Sequence, residues 1–143
     1  MAYRVLDTQS KLSLNWMRQN ICPESTMTPA PLKPEITFED FDKLDIRVGT
    51  IVQVNDVDQS DKLMKLTVDF GDHHRQILAG IKQERENPKE IEGRQALFVV
   101  NLAPRKMAGE LSQGMLFDIG YADHITPVLA VPENEVPAGT RAG

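Results

Sequence analysis

Asn101-Leu102-Ala103-Pro104-Arg105-Lys106-Met107-Ala108-Gly109-Glu110-Leu111-Ser112-Gln113-Gly114-Met115 is the stretch on which the reading of this chain turns. It begins where the apolar run Ala96–Val100 gives out and ends where a second run, Met115–Ile119, begins. Short apolar runs of this kind read as buried strands, so the stretch between them reads as a loop. It is longer and more mixed than a plain connection needs to be. Arg105 and Lys106 are adjacent cations; Met107 and Met115 are polarizable apolar side chains; Asn101, Ser112 and Gln113 can hydrogen-bond. Such a loop on a rigid scaffold is where binding residues gather. The competing reading is a surface connection whose charges are solvated.

On the N-terminal side, Leu63–Phe70 alternates with period two: Met64, Leu66, Val68 and Phe70 on one face, Lys65, Thr67 and Asp69 on the other. Gly71-Asp72 turns the chain into a third strand, Arg75–Ile81. Lys82–Gly93 is a charged connection with a helical turn after Pro88 and Gly93 as its stop. Arg94–Leu102, rich in β-branched and aromatic residues, is a fourth strand. Gly114–Ile119 is a fifth, followed by a turn at Gly120–Thr126, an extended piece at Pro127–Val131 and an irregular tail, Pro132–Gly143.

Further upstream, Leu44, Ile46, Val48, Val52 and Val54 alternate with Asp45, Arg47, Gly49, Ile51 and Gln53, which predicts the first strand, with Gly49 marking a bulge or a sharp coil. Thr37-Phe38-Glu39-Asp40 opens a short helix ending near Leu44, with Thr37 as N-cap and Asp40 placed to reach back in a capping box. Phe38 and Phe41 then face the barrel or a partner. Five strands with a helical turn between the third and fourth is the layout of an OB-fold. The expectation is therefore an all-β protein built on a five-stranded OB-fold barrel.

Residues 1–35 read as an N-terminal extension and linker: a weakly amphipathic helix around Leu12–Gln19, with Trp16 either a stacking residue or, as is commoner for one aromatic in a tail, a docking contact or nothing, and then the proline-rich Thr28–Pro34. Met27 would make a natural start for the domain, residues 36–143. The length fits one domain. The single cysteine, Cys22, precludes an internal disulfide. The absence of a membrane-length apolar run or of a secretory core points to a soluble cytoplasmic protein without a membrane partner.

Net charge is −5 for the whole chain. For residues 36–143 it is −6, from 12 Lys and Arg against 18 Asp and Glu. A nucleic-acid partner would therefore need a segregated cationic patch rather than a field from the whole protein. The acidic loop Asn55–Asp61 lacks the glycine and glutamate of a calcium loop. His73 and His74 are adjacent and point to opposite faces of a strand, so no metal site is expected. No nucleophile elbow, phosphate loop or zinc-protease motif occurs, and Ser112 has no partner base, so no catalytic residue, cofactor or enzymatic activity is expected.

The motif Asn101-Leu-x-Pro104-x-Lys106-Met107, followed by Gly109-x-x-Ser112-x-Gly114-Met115, resembles the signature of the tRNA-binding domain appended to methionyl-tRNA synthetases and found as free-standing proteins. The resemblance continues through Asp45–Gly49, Ser60–Leu63, Val68–Gly71, Ala79–Ile81 and Pro137–Gly139, from about residue 36 to the C-terminus. Many members carry Ser where this chain has Ala79.

The resemblance implies a tRNA-binding face at Asn101, Lys106 and Ser112, with Arg105, Met107, Gln113 and Met115 beside them. Cations for phosphate, flat surfaces for bases and hydrogen-bonding groups are what such a face requires. Arg47 and Lys62, at the first and second strands, join the candidates. Their alternatives are a solvated loop charge for Lys62 and an ion pair with Asp45 for Arg47, and for Asn101 a cap on a strand end. The resemblance also implies a homodimer paired through Phe38, Phe41 and the tail, with Val128, Leu129, Val131 and Pro137 as candidates. The function expected is structure-selective tRNA binding that assists an aminoacyl-tRNA synthetase in trans. The rivals are a chaperone-like, export-related module of the same family and a purely structural dimerisation module.

Overall fold

The alternation in the second strand builds the core as expected: Met64, Leu66, Val68 and Phe70 are all buried. The computed structural model describes residues 27–143. The helix and the Trp16 role expected near residues 12–19 lie outside the described residues. Leu32–Gly143 forms one compact unit, and residues 27–37 have no regular secondary structure.

Helix α1 spans Phe38–Asp42 and is capped by Thr37, whose Oγ1 accepts the Asp40 backbone N–H at 3.1 Å. The Asp40 carboxylate pairs forward with Lys43 at 3.1 Å. None of the helix is buried, so Phe38 and Phe41 stand out from the barrel, their rings 6.3 Å apart.

The strands are β1 (Ile46–Asp56), β2 (Met64–Asp69), β3 (His74–Ala79), β4 (Gln95–Val99), β5 (Arg105–Met107), β6 (Glu110–Ser112), β7 (Met115–Leu116), β8 (Asp118–Ile119), β9 (Val128–Leu129) and β10 (Arg141–Ala142). The main sheet runs β3-β2-β1-β4-β7, with β10 on β1. Every pairing in it is antiparallel. A 3-10 turn at Pro88–Ile91, capped by Asn87, joins β3 to β4 and buries Ile91, and Gly93 follows with φ +85°. The result is a mainly β, nearly closed five-stranded barrel of OB-fold-like form with one short helix. Its core centres on Ile51, Leu66, Ile77, Phe98 and Leu116.

Three sequence expectations need correction. Ile51 is fully buried and Val52 exposed, the reverse of the simple alternation: Gly49 and Ile51 face the core, and the register slip between Ile51 and Gln53 makes Val52 the extra residue of a bulge that brings Val54 back to the core. Gly49 is not the bulge. A side chain there would overlap Val68 Cγ1 and press on the Phe70 and Phe98 rings, so glycine lets β1 cross the core closely. The tail is not irregular throughout. It folds back, with Gln95 and Val136 exchanging two hydrogen bonds, Gly139 N–H donating to Val48 O at 2.7 Å, and β10 closing on β1.

The barrel closes between β3 and the segment leading into β7 largely through side chains. Gln113 donates its backbone N–H to Gln76 O at 2.8 Å, and its Oε1 accepts the Gln76 N–H at 3.0 Å. Ser112 Oγ accepts the Leu78 N–H at 3.0 Å. Arg75, under the barrel end, donates through Nη1 to the carbonyls of Val100 and Gln113, with its guanidinium 6.0 Å from the Phe70 ring centre.

Candidate nucleic-acid interface

The stretch expected as a loop contains a β-hairpin. Strand β5 pairs with β6 in the register Arg105↔Ser112, Lys106↔Leu111 and Met107↔Glu110. Ala108 and Gly109 form the two-residue turn, both with positive φ (50° and 81°), as a type I′ connection requires. Residues paired across a hairpin share a face and successive residues alternate. Lys106 and Leu111 therefore lie together on one side, and both are exposed. Met107, Glu110 and Ser112 lie on the other, half-buried, half-buried and buried. Arg105, paired with Ser112, belongs to that second side, but at the open end, where it is exposed.

The inner side of this hairpin lies on the outer surface of β2 and β3. Leu78, in the outward phase of β3, is only 5% exposed, and its N–H bonds to Ser112. Glu110 receives Lys65 Nζ at 3.3 Å through Oε1 and Gln76 Nε2 at 3.2 Å through Oε2. Gln76 Nε2 also donates to Leu111 O at 2.8 Å. At the tip, a side chain on Gly109 would come within 3.2 Å of Gln59 Oε1, so the hairpin reaches the β1–β2 loop.

That loop carries Lys62. Ser60 Oγ accepts the N–H groups of Lys62 and Leu63, and Lys82 pins the same loop by donating to the carbonyls of Val57 and Ser60 while pairing with Asp56. Lys62, Arg105 and Lys106 are exposed, and no carboxylate among the described residues lies within ion-pair distance of any of them. These three cations keep their charge in an acidic domain, whereas Lys65 and Lys82 are neutralised by Glu110 and Asp56.

The remaining candidates are placed differently. Arg47 grips Asp45 through two hydrogen bonds, Nε to Oδ1 at 3.0 Å and Nη2 to Oδ2 at 3.1 Å. Arg141 approaches the same carboxylate at 3.2 and 3.4 Å. The Arg47 hydrogen bonds, then those from Arg141, hold Asp45 below its ordinary value against the opposing effect of burial, and Arg47 is raised in turn by Asp45. Asn101 ties the end of β4 to the start of β1: its Oδ1 accepts the Asp45 N–H at 2.8 Å and its Nδ2 donates to Lys43 O. Ser112 is 3% exposed, with its hydroxyl also donating to Gly114 O at 3.0 Å. Gln113 is engaged with Gln76. Met115 points outward from β7, exposed rather than in the core.

Elsewhere, burial, and for Glu84 also the nearby negative charge of Asp118, push the carboxyls of Glu84 and Asp118 above their ordinary values. Among the expected dimer residues, Phe38 is 77% exposed, and Phe41, Val128, Val131 and Pro137 are also exposed. Leu129 is 8% exposed and part of the core, so its side chain is turned into the barrel.

Sequence reasoning missed Lys65, Gln76 and Glu110, which form the contact under the hairpin. The outward phase of Lys65 on β2 was visible in the alternation. Its partner, forty-five positions away, was not. No group of three or more possible metal ligands occurs among the described residues, and no described helix is long and apolar enough to cross a membrane.

Comparison with known proteins places this geometry in context. Residues 46–141 match the family described as a putative tRNA binding domain. A methionine–tRNA ligase of Parabacteroides distasonis is 38% identical over 136 residues, covering 95% of this chain and 19% of that protein. The chain thus spans about a fifth of the length of this curated relative. Among solved structures, a MetRS-related protein from Pyrococcus horikoshii matches with a TM-score of 0.71 and 35% identity, over 78% of this chain and all of that one. The chaperone CsaA from Bacillus anthracis matches with a TM-score of 0.66 and 32% identity, over 77% of this chain and all of that one.

Proposed function

This chain belongs to the putative tRNA-binding domain family, and on that premise we propose that it binds tRNA, selecting shape rather than sequence, as a dimer that assists an aminoacyl-tRNA synthetase in trans. The single observation that carries the reading is the outward face of the β5–β6 hairpin. Lys106 stands there beside exposed Leu111, Arg105 is exposed at the open end on the Ser112 side, and neither cation is neutralised by a carboxylate among the described residues. Cations for phosphates next to apolar surface for unstacked bases is the pairing that single-stranded and loop RNA recognition uses. Lys62 extends the charge from the β1–β2 loop. A few localised contacts on an acidic domain favour a shaped ligand over any polyanion. The likeness to a MetRS-related protein supports the synthetase connection.

The exposed Phe38, Phe41, Val128 and Val131 support the dimer, since apolar side chains of that size gain by covering one another across a two-fold axis. Two hairpin faces on one dimer would engage a single tRNA with avidity.

The test is a gel shift with total tRNA against single-stranded and duplex RNA of equal length, repeated with Arg105→Ala plus Lys106→Ala. Preferential tRNA binding that weakens in the double variant, with a salt slope smaller by about 0.7–0.9 per lost phosphate contact, is expected. Equal binding of all three RNAs would sink the reading. A second reading, a chaperone-like module binding extended peptides, draws on the likeness to CsaA and on exposed Leu102, Leu111 and Met115. Binding of a denatured protein by a chain indifferent to tRNA would favour it.

A further inference from the structure

The outer surface of β2 and β3 is covered in this structure by the protein's own carboxylate. Glu110 lies on the inner side of the hairpin with Oε1 3.3 Å from Lys65 Nζ and Oε2 3.2 Å from Gln76 Nε2. Two acidic oxygens on an ammonium and an amide donor is the arrangement a backbone phosphate makes with the same two side chains. We propose that Glu110 is an internal phosphate mimic: it occupies a phosphate subsite formed by Lys65 and Gln76, and RNA binds there by displacing it. The proposal rests on the tRNA-binding reading above and adds to it a masked contact and the residue that masks it.

Three observations carry it. The hairpin has two separate attachments. Its base is fixed to β3 by Ser112 Oγ, in a buried setting, and by the two part-buried hydrogen bonds of Gln113 to Gln76. The Glu110 contact is part-exposed, with 38% of its side chain and 28% of that of Lys65 accessible, so water and a competing anion can reach it. Such an exposed pair contributes little to stability and can be exchanged. The charge also balances against RNA: Lys65 has no other carboxylate partner among the described residues, and Glu110 cancels it next to the cations of the hairpin. Finally, Gln76 keeps a second acceptor, Leu111 O at 2.8 Å, so it stays oriented when Glu110 leaves.

The measurement is equilibrium binding of wild type, Glu110→Gln and Glu110→Gln plus Lys65→Met to total tRNA and to a single-stranded oligouridylate, across a salt series. Glu110→Gln keeps the hairpin's shape and removes its charge. It should tighten both ligands about two- to fivefold, the scale of one exposed ion pair, and steepen the salt slope by about 0.7–0.9. Adding Lys65→Met should abolish both gains. No gain with either ligand, or a gain that survives Lys65→Met, overturns the proposal. A failure of the tRNA reading looks different: wild type and variants would bind tRNA no better than oligouridylate, while the Glu110→Gln gain would persist on both.

Discussion

Leu78 donates its backbone N–H to Ser112 Oγ at 3.0 Å across a gap where β3 and β6 share no backbone ladder. The hydroxyl passes its own hydrogen to Gly114 O at 3.0 Å. Both of its hydrogen-bonding functions are thus turned inward. A serine belonging to the motif that suggests RNA binding is a closing stitch of the barrel, and it sets the root of the hairpin that carries Arg105 and Lys106.

Ser112→Ala leaves the buried Leu78 N–H without an acceptor, so the variant should lose about 1–3 kcal/mol of stability. Urea unfolding monitored by circular dichroism reads this, as does a melting temperature lower by several degrees. Well below that temperature, tRNA affinity should be close to wild type. Unchanged stability with lost affinity would assign the hydroxyl to RNA instead.

Asp45 gives a pH prediction of definite sign. Arg47 and Arg141 hold its carboxyl below the ordinary 3.8. An acid depressed in the folded state contributes stability above its unfolded value, and the contribution is lost as pH falls through the folded value. Asp45→Asn should therefore be less stable than wild type at neutral pH, by at most about 1 kcal/mol for so accessible a cluster. The two proteins should converge in acid below 3.8. A gap that stays constant through the acid range would mean that the side chain acts by packing or neutral hydrogen bonding rather than by charge.

Phe38 and Phe41 lie outside the core, 77% and 47% exposed, so replacing both by serine should leave monomer stability within about 1 kcal/mol of wild type. Sedimentation should then show a dimer for wild type and a monomer for the double variant. A wild type that sediments as a monomer at micromolar concentration removes the dimer from the proposal, and with it the avidity argument.

The strands were legible in the sequence wherever one side faced the core and the other did not. Period-two alternation in Leu63–Phe70 is a local consequence of pleating and needs no knowledge of what lies opposite. The same holds for the Thr37 cap and for the turn at Pro88, whose signals lie within a few residues of the structure they specify. The sequence by itself thus determined the barrel's strands, the short helix and, through the motif spanning Asn101–Met115, the family.

Only the tertiary structure decided the rest. The bulge at Val52 left Ile51 and Val54 both in the core with Val52 and Gln53 outside, because one extra residue against β2 reverses the phase of the side chains that follow it. The strand β10 needed β1 beside it, ninety-odd positions away. Within the motif, Ser112 and Gln113 were drawn inward to satisfy backbone groups of β3, Asn101 was taken up at the junction of helix and first strand, and Lys106 was left outside, free of carboxylates among the described residues. Residue type says which bonds a side chain can make. Which of them it makes is decided by the unsatisfied groups that folding brings within reach.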